Sequence, residues 1–326
     1  MAWSLFFLTW SGFYSICEKP RRKILRTLTD AALEVHDKFE RRIYFRYAKY
    51  NRETRRLRIG PQTHRATAIS TSNAETILVR GHDLAGQLMG KISFTDHFWL
   101  LLTGSMPSDV QRLMLDATLV AIAEHGLVPS VQASRMTLAA APEALQGAVA
   151  AGILGCGSVV LGSAEAAGRF FADIAHNADS TAGTLDESIT EVVKLYRAQR
   201  RAIPGYGHPL HKKGDPRALK LFEIAKSAGC AGRHIDIAQR VEALLPDLVG
   251  KSLMLNVSGA IPAVLLDVAY PLSALKGIPI LARTAGLIAH LLEEQERPIG
   301  FVLSHAAAGS ITYDGDAPAG FRPGED

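Results

Sequence analysis

Apolar positions with helical spacing, interrupted by short polar turns, dominate the chain from Thr71 onward. The segment SFTDHFWLLLTGSMPSDVQRLMLDATLVAIAEHG predicts two helices, the second of which begins at Pro107-Ser108. The segment PEALQGAVAAGILGCGSVVLGSAEAAGRFFADIA predicts further helix, and its many small residues allow helices to pack closely. Strand character is confined to the stretch AETILVRG. The pattern therefore predicts a mainly α protein.

The composition limits the class of protein. With 326 residues, 48% of them hydrophobic and 21% charged, the chain can bury a full core and has room for two domains. Its three cysteines, Cys17, Cys156 and Cys230, are far apart and form no Cys-x-x-Cys motif. This argues against a disulfide framework or a zinc site and fits a reducing compartment. We therefore expect a cytoplasmic protein whose chemistry does not depend on a metal.

The positive charge belongs to the N-terminal segment alone. Residues 1–65 contain 15 Lys or Arg and 6 Asp or Glu, whereas the remainder contains 21 and 26. From Ala31 to Arg58 the chain is dense in charged and aromatic residues, which predicts a basic, partly amphipathic helix. A solvated helix or a disordered arm explains this segment, and a nucleic-acid or membrane-surface role is the alternative. Because the acidic remainder offers no base-reading module, we expect no nucleic-acid partner.

The first residues, MAWSLFFLTWSGFYSIC, form an apolar run that precedes the basic sequence EKPRRK. A signal peptide carries its positive charges before the apolar segment, and a membrane-spanning helix needs about 20 apolar residues. The run meets neither condition cleanly. We interpret it as an extension that the folded body does not require, with a peripheral or anchoring role as the alternative.

Groups suited to chemistry concentrate in the segment PGYGHPLHKKGDPRA, from Pro204 to Ala218. The glycines around Tyr206 and His208 let the backbone turn sharply and approach a ligand closely. The lysines and Arg217 supply cations for phosphate or carboxylate, and His208 can transfer a proton near neutral pH. Together these groups predict an acyl-CoA or phosphorylated-ligand site. The alternative is a structural turn with a hydrogen-bonded histidine.

This segment resembles the signature of the citrate synthase superfamily, which includes citryl-CoA lyase and the C-terminal part of ATP citrate lyase. The Gly-Tyr-Gly-His sequence followed by Asp-Pro-Arg carries the resemblance. Further segments are similar to the family's in the same order, namely EHGLVPSVQASR, LMLNVSGA, and ILARTAGLIAH followed by ERPIG. The resemblance extends from about Thr71 to Gly300.

The resemblance implies a nearly all-helical, citrate-synthase-like fold in which a large domain carries an inserted small domain. We place the large domain at residues 71–162 and 261–326 and the small domain at residues 163–260. Residues 1–70 form a basic extension outside the resemblance. The active site is expected in the cleft between the domains. A homodimer or a larger homo-oligomer is expected, with one arginine reaching the neighbouring subunit's site.

Residue by residue, the resemblance assigns His208 to proton exchange with the substrate's carbonyl or hydroxyl oxygen. It assigns His125 to binding the oxaloacetate-derived portion, and an ordinary helix-end histidine is the alternative. Arg217, Arg283 and Arg297 match three carboxylate-binding arginines, of which Arg297 would cross to the partner subunit. For Arg297 the alternative is a solvated loop cation. A small dicarboxylate offers little apolar area, so charged hydrogen bonds must hold it.

Coenzyme A is expected as part of the substrate, without a tightly bound cofactor. The resemblance places its adenine end against the backbone of Gly205, Tyr206 and Gly207. It places the phosphates near Lys212, for which simple exposure to solvent is the alternative.

Two positions depart from the family pattern. Ser258, in the sequence Asn256-Val257-Ser258, stands where the family has an aspartate that removes a proton from the acetyl group. Leu161 stands where the family has a histidine that stabilises the enolate. A serine is a poor general base without an activating group, and leucine donates no hydrogen bond. Glu165 is our candidate for a replacement acid or base, with a salt-bridged helix glutamate as the alternative.

Three functional hypotheses follow. The first is a citryl-CoA lyase or citrate synthase type of enzyme, which interconverts citryl-CoA with acetyl-CoA and oxaloacetate. The second is related acyl-CoA chemistry on another substrate, with the acyl pocket reshaped by Leu161 and Ser258. The third is a catalytically silent paralogue that binds coenzyme A or a dicarboxylate.

Overall fold

The computed structural model describes residues 65–157, 162–181, 183–207 and 214–321. From Ala68 onward the described residues belong to one compact unit. The N-terminal apolar run and the basic helix predicted from Ala31 to Arg58 lie outside the described residues. The same is true of three predicted site positions, Leu161, His208 and Lys212.

The protein is mainly α, which confirms the prediction from the hydrophobic pattern. The α-helices of the described segments are α1 (Phe94–Thr103), α2 (Asp109–Ala123), α3 (Pro129–Ala140), α4 (Leu145–Leu154), α5 (Ser163–Ser180), α6 (Leu185–Ala198), α7 (Pro216–Ser227), α8 (Arg233–Val249), α9 (Val257–Asp267), α10 (Gly277–Glu296) and α11 (Gly300–Ser310). A π-helical turn at Leu84–Leu88 precedes α1, and a 3-10 turn at Leu272–Ala274 precedes α10.

A small antiparallel sheet precedes the helices. Its strands are β1 (Ser70–Ser72), β2 (Ile77–Val79) and β3 (His82–Asp83), which lie in the order β1-β2-β3. Thr71 pairs with Leu78, and Val79 pairs with His82. Strand β2 lies within the stretch AETILVRG, as predicted.

Local sequence explains where the first two helices begin. Ser93 caps α1 and Ser108 caps α2 by accepting a hydrogen bond from the backbone N–H three residues later. Asp96 and Gln111 return a hydrogen bond to the backbone N–H of each cap, which completes a capping box. The predicted start at Pro107-Ser108 is therefore confirmed.

Helices α5 to α9 pack around the larger hydrophobic core. Aromatic side chains from α5 and α6 lie at its centre, where the rings of Phe170 and Tyr196 meet edge to face with centroids 5.0 Å apart. Phe171 meets Tyr206 in the same way at 6.4 Å. Because offset aromatic pairs add stability beyond the area they bury, they anchor the segment that carries Tyr206.

Helices α3, α4, α10 and α11 form a second packing group. Helix α2 joins the groups, since it packs against α10 as well as against α7 and α9. The first group falls largely within the predicted small domain. The exact domain boundaries remain a prediction.

Small residues allow close approach between helices, as the sequence predicted. A Cβ atom on Gly152 of α4 would lie 2.7 Å from Cδ1 of Leu287 and 2.9 Å from the carbonyl oxygen of Ser130. On α5, a Cβ atom on Gly168 would overlap Leu275 and lie 3.1 Å from Cβ of Pro262. Any larger residue at either position would force the helices apart.

The segment Leu272–Glu296, which contains α10, is long and apolar enough to cross a membrane by length and composition. However, α10 packs against α2, α3 and α4, and it buries both Arg283 and Glu294. These contacts are typical of a helix in the core of a globular protein.

Candidate active site

The predicted ligand-binding turn lies against the start of α9. Gly205 accepts a hydrogen bond from the backbone N–H of Asn256 at 2.9 Å, and Gly207 donates to Met254 at 2.7 Å. Asn256 Nδ2 also donates to the carbonyl oxygen of Gly207 at 2.7 Å. Both glycines have positive φ, +87° and +84°, and a Cβ atom on Gly205 would lie 2.7 Å from Cα of Gly259. Glycine is therefore required for this turn.

The side chain of Tyr206 serves the core. Its ring is buried, and its hydroxyl donates to the carbonyl oxygen of Ala238 at 2.8 Å. Burial also raises the pKa of Tyr206. Gly205 and Tyr206 are buried, and the predicted role of the turn in binding a ligand stays a prediction.

Two of the predicted substrate-binding residues, Arg217 and His125, contact each other, and the buried Asp215 holds Arg217 in place. Asp215 Oδ1 accepts from the backbone N–H and Nε of Arg217, both at 3.0 Å. Its Oδ2 accepts from Arg217 Nη2 and from the backbone N–H of Val257, both at 2.9 Å. Arg217 Nη1 then lies 3.1 Å from Nδ1 of His125, in the loop after α2. One carboxylate thus connects the starts of α7 and α9 with the predicted site.

Asp215 was missed as a functional residue. Burial alone would raise its pKa, but the hydrogen bonds from Arg217 and from the Val257 N–H outweigh burial and lower it. The carboxylate is therefore ionised at neutral pH. In the sequence, Asp215-Pro216 has the form of an ordinary helix start, which hides the second role.

Arg283 of α10 is the most unusual charged residue of the described segments. Its side chain is only 3% exposed, and its buried Nε and Nη1 atoms have no hydrogen-bond partner among the described residues. Burial lowers the pKa of Arg283, Glu124 and Cys156 oppose this, and Arg217 adds to it. An arginine keeps its charge even so. A buried charge is unfavourable unless it is hydrogen-bonded, and the described residues leave Nε and Nη1 of Arg283 without such a bond.

The loop that carries His125 is held against α10. Glu124 Oε2 lies 2.9 Å from His290 Nε2, and Glu124 Oε1 accepts from the backbone N–H of Gly126. Gly286 allows this approach, because a Cβ atom there would overlap the carbonyl oxygen of Ala123. Helix α10 therefore carries Arg283 and also holds the loop of His125.

The first turns of α5 and α9 contact each other; Ser258 of α9 is one of the two positions that depart from the family pattern, and α5 begins two residues after the other, Leu161. Ser258 Oγ and Ser163 Oγ form a hydrogen bond of 2.9 Å, which links the first turns of α9 and α5. Glu165 forms an ion pair with Arg169 at 2.8 Å on the surface of α5. This pairing is the alternative stated for Glu165, whose catalytic role stays a prediction. Ser163 was not singled out in the sequence.

Arg297 lies at the end of α10 with an exposed side chain. Its carbonyl oxygen accepts from Arg135 Nη2 at 2.9 Å. Glu294, which pairs with Arg135, accepts from the backbone N–H groups of Ile299 at 3.0 Å and Gly300 at 2.7 Å. This buried pair fixes the backbone of the loop. No described contact joins the Arg297 side chain to His125, Arg217 or Arg283.

The described segments thus bring His125 and Arg217 into contact and place Arg283 within electrostatic range of Arg217. The roles of His208, Lys212 and Leu161 stay predictions, because these residues lie outside the described segments. Within the described segments, no cluster of three or more His, Cys, Asp or Glu residues could hold a metal ion.

Comparison with solved structures supports the helical fold and the resemblance to the citrate synthase superfamily. A citryl-CoA lyase from Hydrogenobacter thermophilus is 32% identical over 79% of this chain and 97% of that chain, with a TM-score of 0.69. An ATP citrate lyase from Methanothrix soehngenii, solved with citrate and coenzyme A, is 23% identical over 82% of this chain and 43% of that chain, with a TM-score of 0.61.

Comparison with protein sequences gives the family. A citrate/2-methylcitrate synthase from Bacillus subtilis is 30% identical over 62% of this chain and 53% of that protein. The chain spans about half the length of the curated relatives it matches. Residues 22–300 match the family model for the C-terminal domain of citrate synthase, and this match begins within the basic N-terminal segment. The chain therefore belongs to the citrate synthase family.

Proposed function

We propose that the protein makes or breaks a carbon–carbon bond next to a coenzyme A thioester. The reaction is cleavage of citryl-CoA to acetyl-CoA and oxaloacetate, or the reverse condensation. The observation that carries this proposal is Arg283, a buried guanidinium without a described partner near the paired Arg217 and His125. Membership of the citrate synthase family and similarity to a citryl-CoA lyase support it.

The charged groups suit a small dicarboxylate. Arg283 offers two unpaired donor atoms, and Arg217 is held in place by Asp215. Charged, directional hydrogen bonds can bind a ligand that has little apolar surface, and donors fixed beforehand lose little entropy on binding. Arg297 is our candidate for a further carboxylate ligand, supplied to the neighbouring subunit.

Coenzyme A enters as part of the substrate. The turn at residues 205–207 is our candidate for the backbone against which its adenine end lies. The solved ATP citrate lyase in complex with citrate and coenzyme A supports this ligand class by similarity of fold. We place Lys212 near the phosphates.

His208 is our candidate for the proton transfer, because it directly follows the turn in the sequence. In the cleavage direction it takes the proton of the tertiary hydroxyl. The carbon–carbon bond then breaks, oxaloacetate forms its carbonyl group, and the electron pair remains on the acetyl-CoA enolate. Another group must protonate the enolate carbon, and Glu165 is our candidate. The reverse condensation uses the same groups in the opposite order.

The chain lacks two catalytic groups of the family pattern, at Leu161 and Ser258. A positioned base contributes about 10²–10⁴-fold to a rate, and an oxyanion donor about 10²–10³-fold. We therefore expect turnover well below that of an efficient citrate synthase.

One observation favours a second candidate function. The hydroxyls of Ser163 and Ser258 hydrogen-bond to each other, and neither is paired with a described base that could activate it. A catalytically silent protein that binds coenzyme A or a dicarboxylate would keep the arginines and need no base. Related chemistry on a larger acyl group is the remaining alternative.

We also propose that the protein is a homodimer or a larger homo-oligomer. Helices α4 and α11 are apolar around most of their circumference, yet four of the ten residues of α4 and nine of the eleven residues of α11 are exposed. Leu154 is 86% exposed and Phe301 is 69% exposed. A helix that is apolar on every side is normally buried, and a second copy of the chain would cover this surface.

Turnover assays on the purified protein test the proposed activity. Citryl-CoA cleavage and thiol release from acetyl-CoA plus oxaloacetate would be measured for the wild type and for His208→Ala. His176→Ala, on the exposed face of α5, is the matched control.

We expect turnover that His208→Ala reduces by at least ~10²-fold, while binding of oxaloacetate is largely kept. Equal turnover in His208→Ala would overturn the mechanism. Saturable binding without turnover in the wild type would favour the silent paralogue, and turnover only with longer acyl thioesters would favour related acyl-CoA chemistry on another substrate.

A further inference from the structure

A buried ion pair joins α3 to the last turn of α10. Arg135 Nε donates to Glu294 Oε2 at 2.5 Å, and both side chains are only 3% exposed. Burial alone would raise the pKa of Glu294, but the hydrogen bonds from Arg135 and from two backbone N–H groups outweigh burial and lower it. The carboxylate is therefore ionised. Because both charges lose their hydration, such a pair adds little net stability, and its effect lies in the geometry that it imposes.

The ion pair fixes the segment between α10 and α11. Arg135 Nη2 donates to the carbonyl oxygen of Arg297 at 2.9 Å. Glu294 accepts from the backbone N–H groups of Ile299 at 3.0 Å and Gly300 at 2.7 Å. The N–H group of Arg297 donates to a carbonyl oxygen in the last turn of α10 at 2.6 Å. Both backbone polar groups of Arg297 are thus engaged, whereas its side chain is exposed.

Helix α11 depends on the same ion pair for its position. Its N-cap residue, Ile299, forms no side-chain cap, so Glu294 of the preceding helix supplies the acceptor at its start. A Cβ atom on Gly300 would lie 2.5 Å from Cβ of Ala139 and 2.8 Å from the carbonyl oxygen of Arg135, so α11 begins in direct contact with α3. Nine of the eleven residues of α11 are exposed, which leaves the helix little burial of its own to hold it.

An exposed cation on a fixed backbone suits a ligand that lies outside the chain's own core. An arginine on a loose loop would lose both side-chain and backbone freedom on binding, and a backbone held beforehand lowers this cost. Arg297 directly precedes α11, whose exposed apolar residues include Phe301. A second copy of the chain that covers α11 would therefore meet Arg297.

We propose that Arg135 is the positioning residue of Arg297. Paired with Glu294, it holds Arg297 and the start of α11 so that the Arg297 side chain reaches a carboxylate in the site of the neighbouring subunit. Arg135 itself does not touch the ligand, and the partner is a second copy of this chain. The reach of Arg297 rests on the proposed function and the proposed oligomer, whereas the fixing of its backbone does not.

Amide hydrogen exchange, read by mass spectrometry, tests the fixing of the backbone without any ligand. The double variant Arg135→Met/Glu294→Gln removes both charges together, and Gln keeps an acceptor for the start of α11. We expect a urea midpoint close to that of the wild type, with exchange over residues 297–302 at least ~10-fold faster. Unchanged exchange in the double variant would overturn the positioning role.

Two further variants support this test. Arg233→Met/Asp179→Asn is the matched control, because Arg233 also bridges a carboxylate and a carbonyl oxygen. It should leave exchange over residues 297–302 unchanged. Arg135→Lys keeps the charge but cannot make all the bonds of the planar guanidinium, so we expect a smaller increase in exchange of the same kind. If the double variant does not fold, unchanged exchange in Arg135→Lys would count against the proposal.

Hybrid oligomers show in which subunit Arg135 acts. Chains with Arg135→Met/Glu294→Gln are co-expressed with Arg217→Leu chains, and the hybrids are purified through a different tag on each chain. In a hybrid dimer, one site combines the unchanged Arg217 of one chain with the held Arg297 of the other. By calorimetry we expect each parent to bind oxaloacetate at least ~10-fold more weakly than the wild type. The hybrid should regain the wild-type affinity at about half of its sites.

The outcomes separate this proposal from the proposed function. A hybrid without a tight site would place the effect of Arg135 within its own subunit and overturn the proposal. Faster exchange with unchanged affinity for oxaloacetate would show a structural role alone, which also overturns it. A wild type that binds no oxaloacetate would refute the proposed function and the reach of Arg297 with it, while faster exchange in the double variant would leave the fixing of the Arg297 backbone standing.

Discussion

Arg283 and Asp173 both have buried polar atoms without a hydrogen-bond partner in the described segments, and they imply different things. Arg283 keeps its charge and lies near other predicted substrate-binding residues. Asp173, on α5, has a buried Oδ2 without a partner and can become neutral by taking up a proton. We therefore interpret Arg283 as a ligand-binding residue and Asp173 as a source of pH-dependent stability.

The raised pKa of Asp173 predicts that the protein loses stability as the pH rises from about 4 to about 7. Burial raises the pKa of Asp173 from 3.8 to about 7, although Arg201 and Arg169 oppose the shift. Because the native state then holds the proton more tightly than the unfolded state, the free energy of unfolding falls as pH rises from about 4 to about 7. Asp173→Asn removes this dependence. At about pH 8 we expect it to be more stable than the wild type by about 1–3 kcal/mol.

Urea denaturation at about pH 5 and about pH 8 measures this difference. Asp247→Asn, at an exposed position on α8, is the matched control. The same difference between Asp173→Asn and the wild type at both pH values would contradict the prediction.

The sequence could name candidate site residues but not their contacts. His125 and Arg217 are 92 residues apart, so only the family resemblance indicated that they share a site. Asp215 has the form of a helix cap in the sequence, and its bond to Val257 depends on how α7 and α9 pack. The sequence does not reveal the burial of Arg283 either, because a single arginine in an apolar helix can lie on its buried face or on its exposed face.

At the scale of elements, the approach of α10 to α2 decides where the site residues lie. Gly286 on α10 leaves room for the carbonyl oxygen of Ala123 at the end of α2. The next residues of that chain segment are Glu124, which binds His290 of α10, and His125. A change in this spacing would therefore reach the site.

Gly286→Ala is expected to destabilise the protein, because its Cβ atom would overlap the backbone of Ala123. We expect a loss of about 1–3 kcal/mol in the free energy of unfolding, measured by urea denaturation. Gly277→Ala, at the start of the same helix, has no atom within 4 Å of its new Cβ and is the control. Equal effects of the two substitutions would refute the close-packing argument.

Element boundaries were predictable where local chemistry sets them. The start of α2 at Ser108 depends on a capping box within four residues, so the sequence was sufficient. The lengths and partners of α10 and α11 depend instead on the buried pair of Arg135 with Glu294, whose members are 159 residues apart. No local pattern reports such a contact.

At the scale of the whole molecule, the exposed apolar residues of α4 and α11 are the observation behind the proposed oligomer. Helices α3, α4, α10 and α11 pack together, and Leu154 and Phe301 remain on the outside of this group. The hydrophobic pattern predicted the helical fold class. Association could not be derived from it, because an apolar helix in a sequence is equally consistent with a core.

We expect a dimer or larger oligomer by light scattering coupled to size-exclusion chromatography. The double variant Leu154→Lys and Phe301→Lys should lower the mass to that of one chain, because charges on an apolar interface oppose its burial. Phe94→Lys, at a residue 68% exposed at the start of α1, should leave the mass unchanged. A wild type that stays monomeric would contradict the proposal.

The central claim is that Arg283 is kept for an anionic ligand at a cost in stability. Arg283→Met tests it most directly, by combining thermal or urea denaturation without ligand with calorimetric binding of oxaloacetate. We expect the variant to gain about 1–3 kcal/mol in stability and to lose at least ~10-fold in affinity. Arg240→Met, at a surface ion pair with Asp186, should change neither by much. A variant that is less stable and binds oxaloacetate as the wild type does would contradict the account.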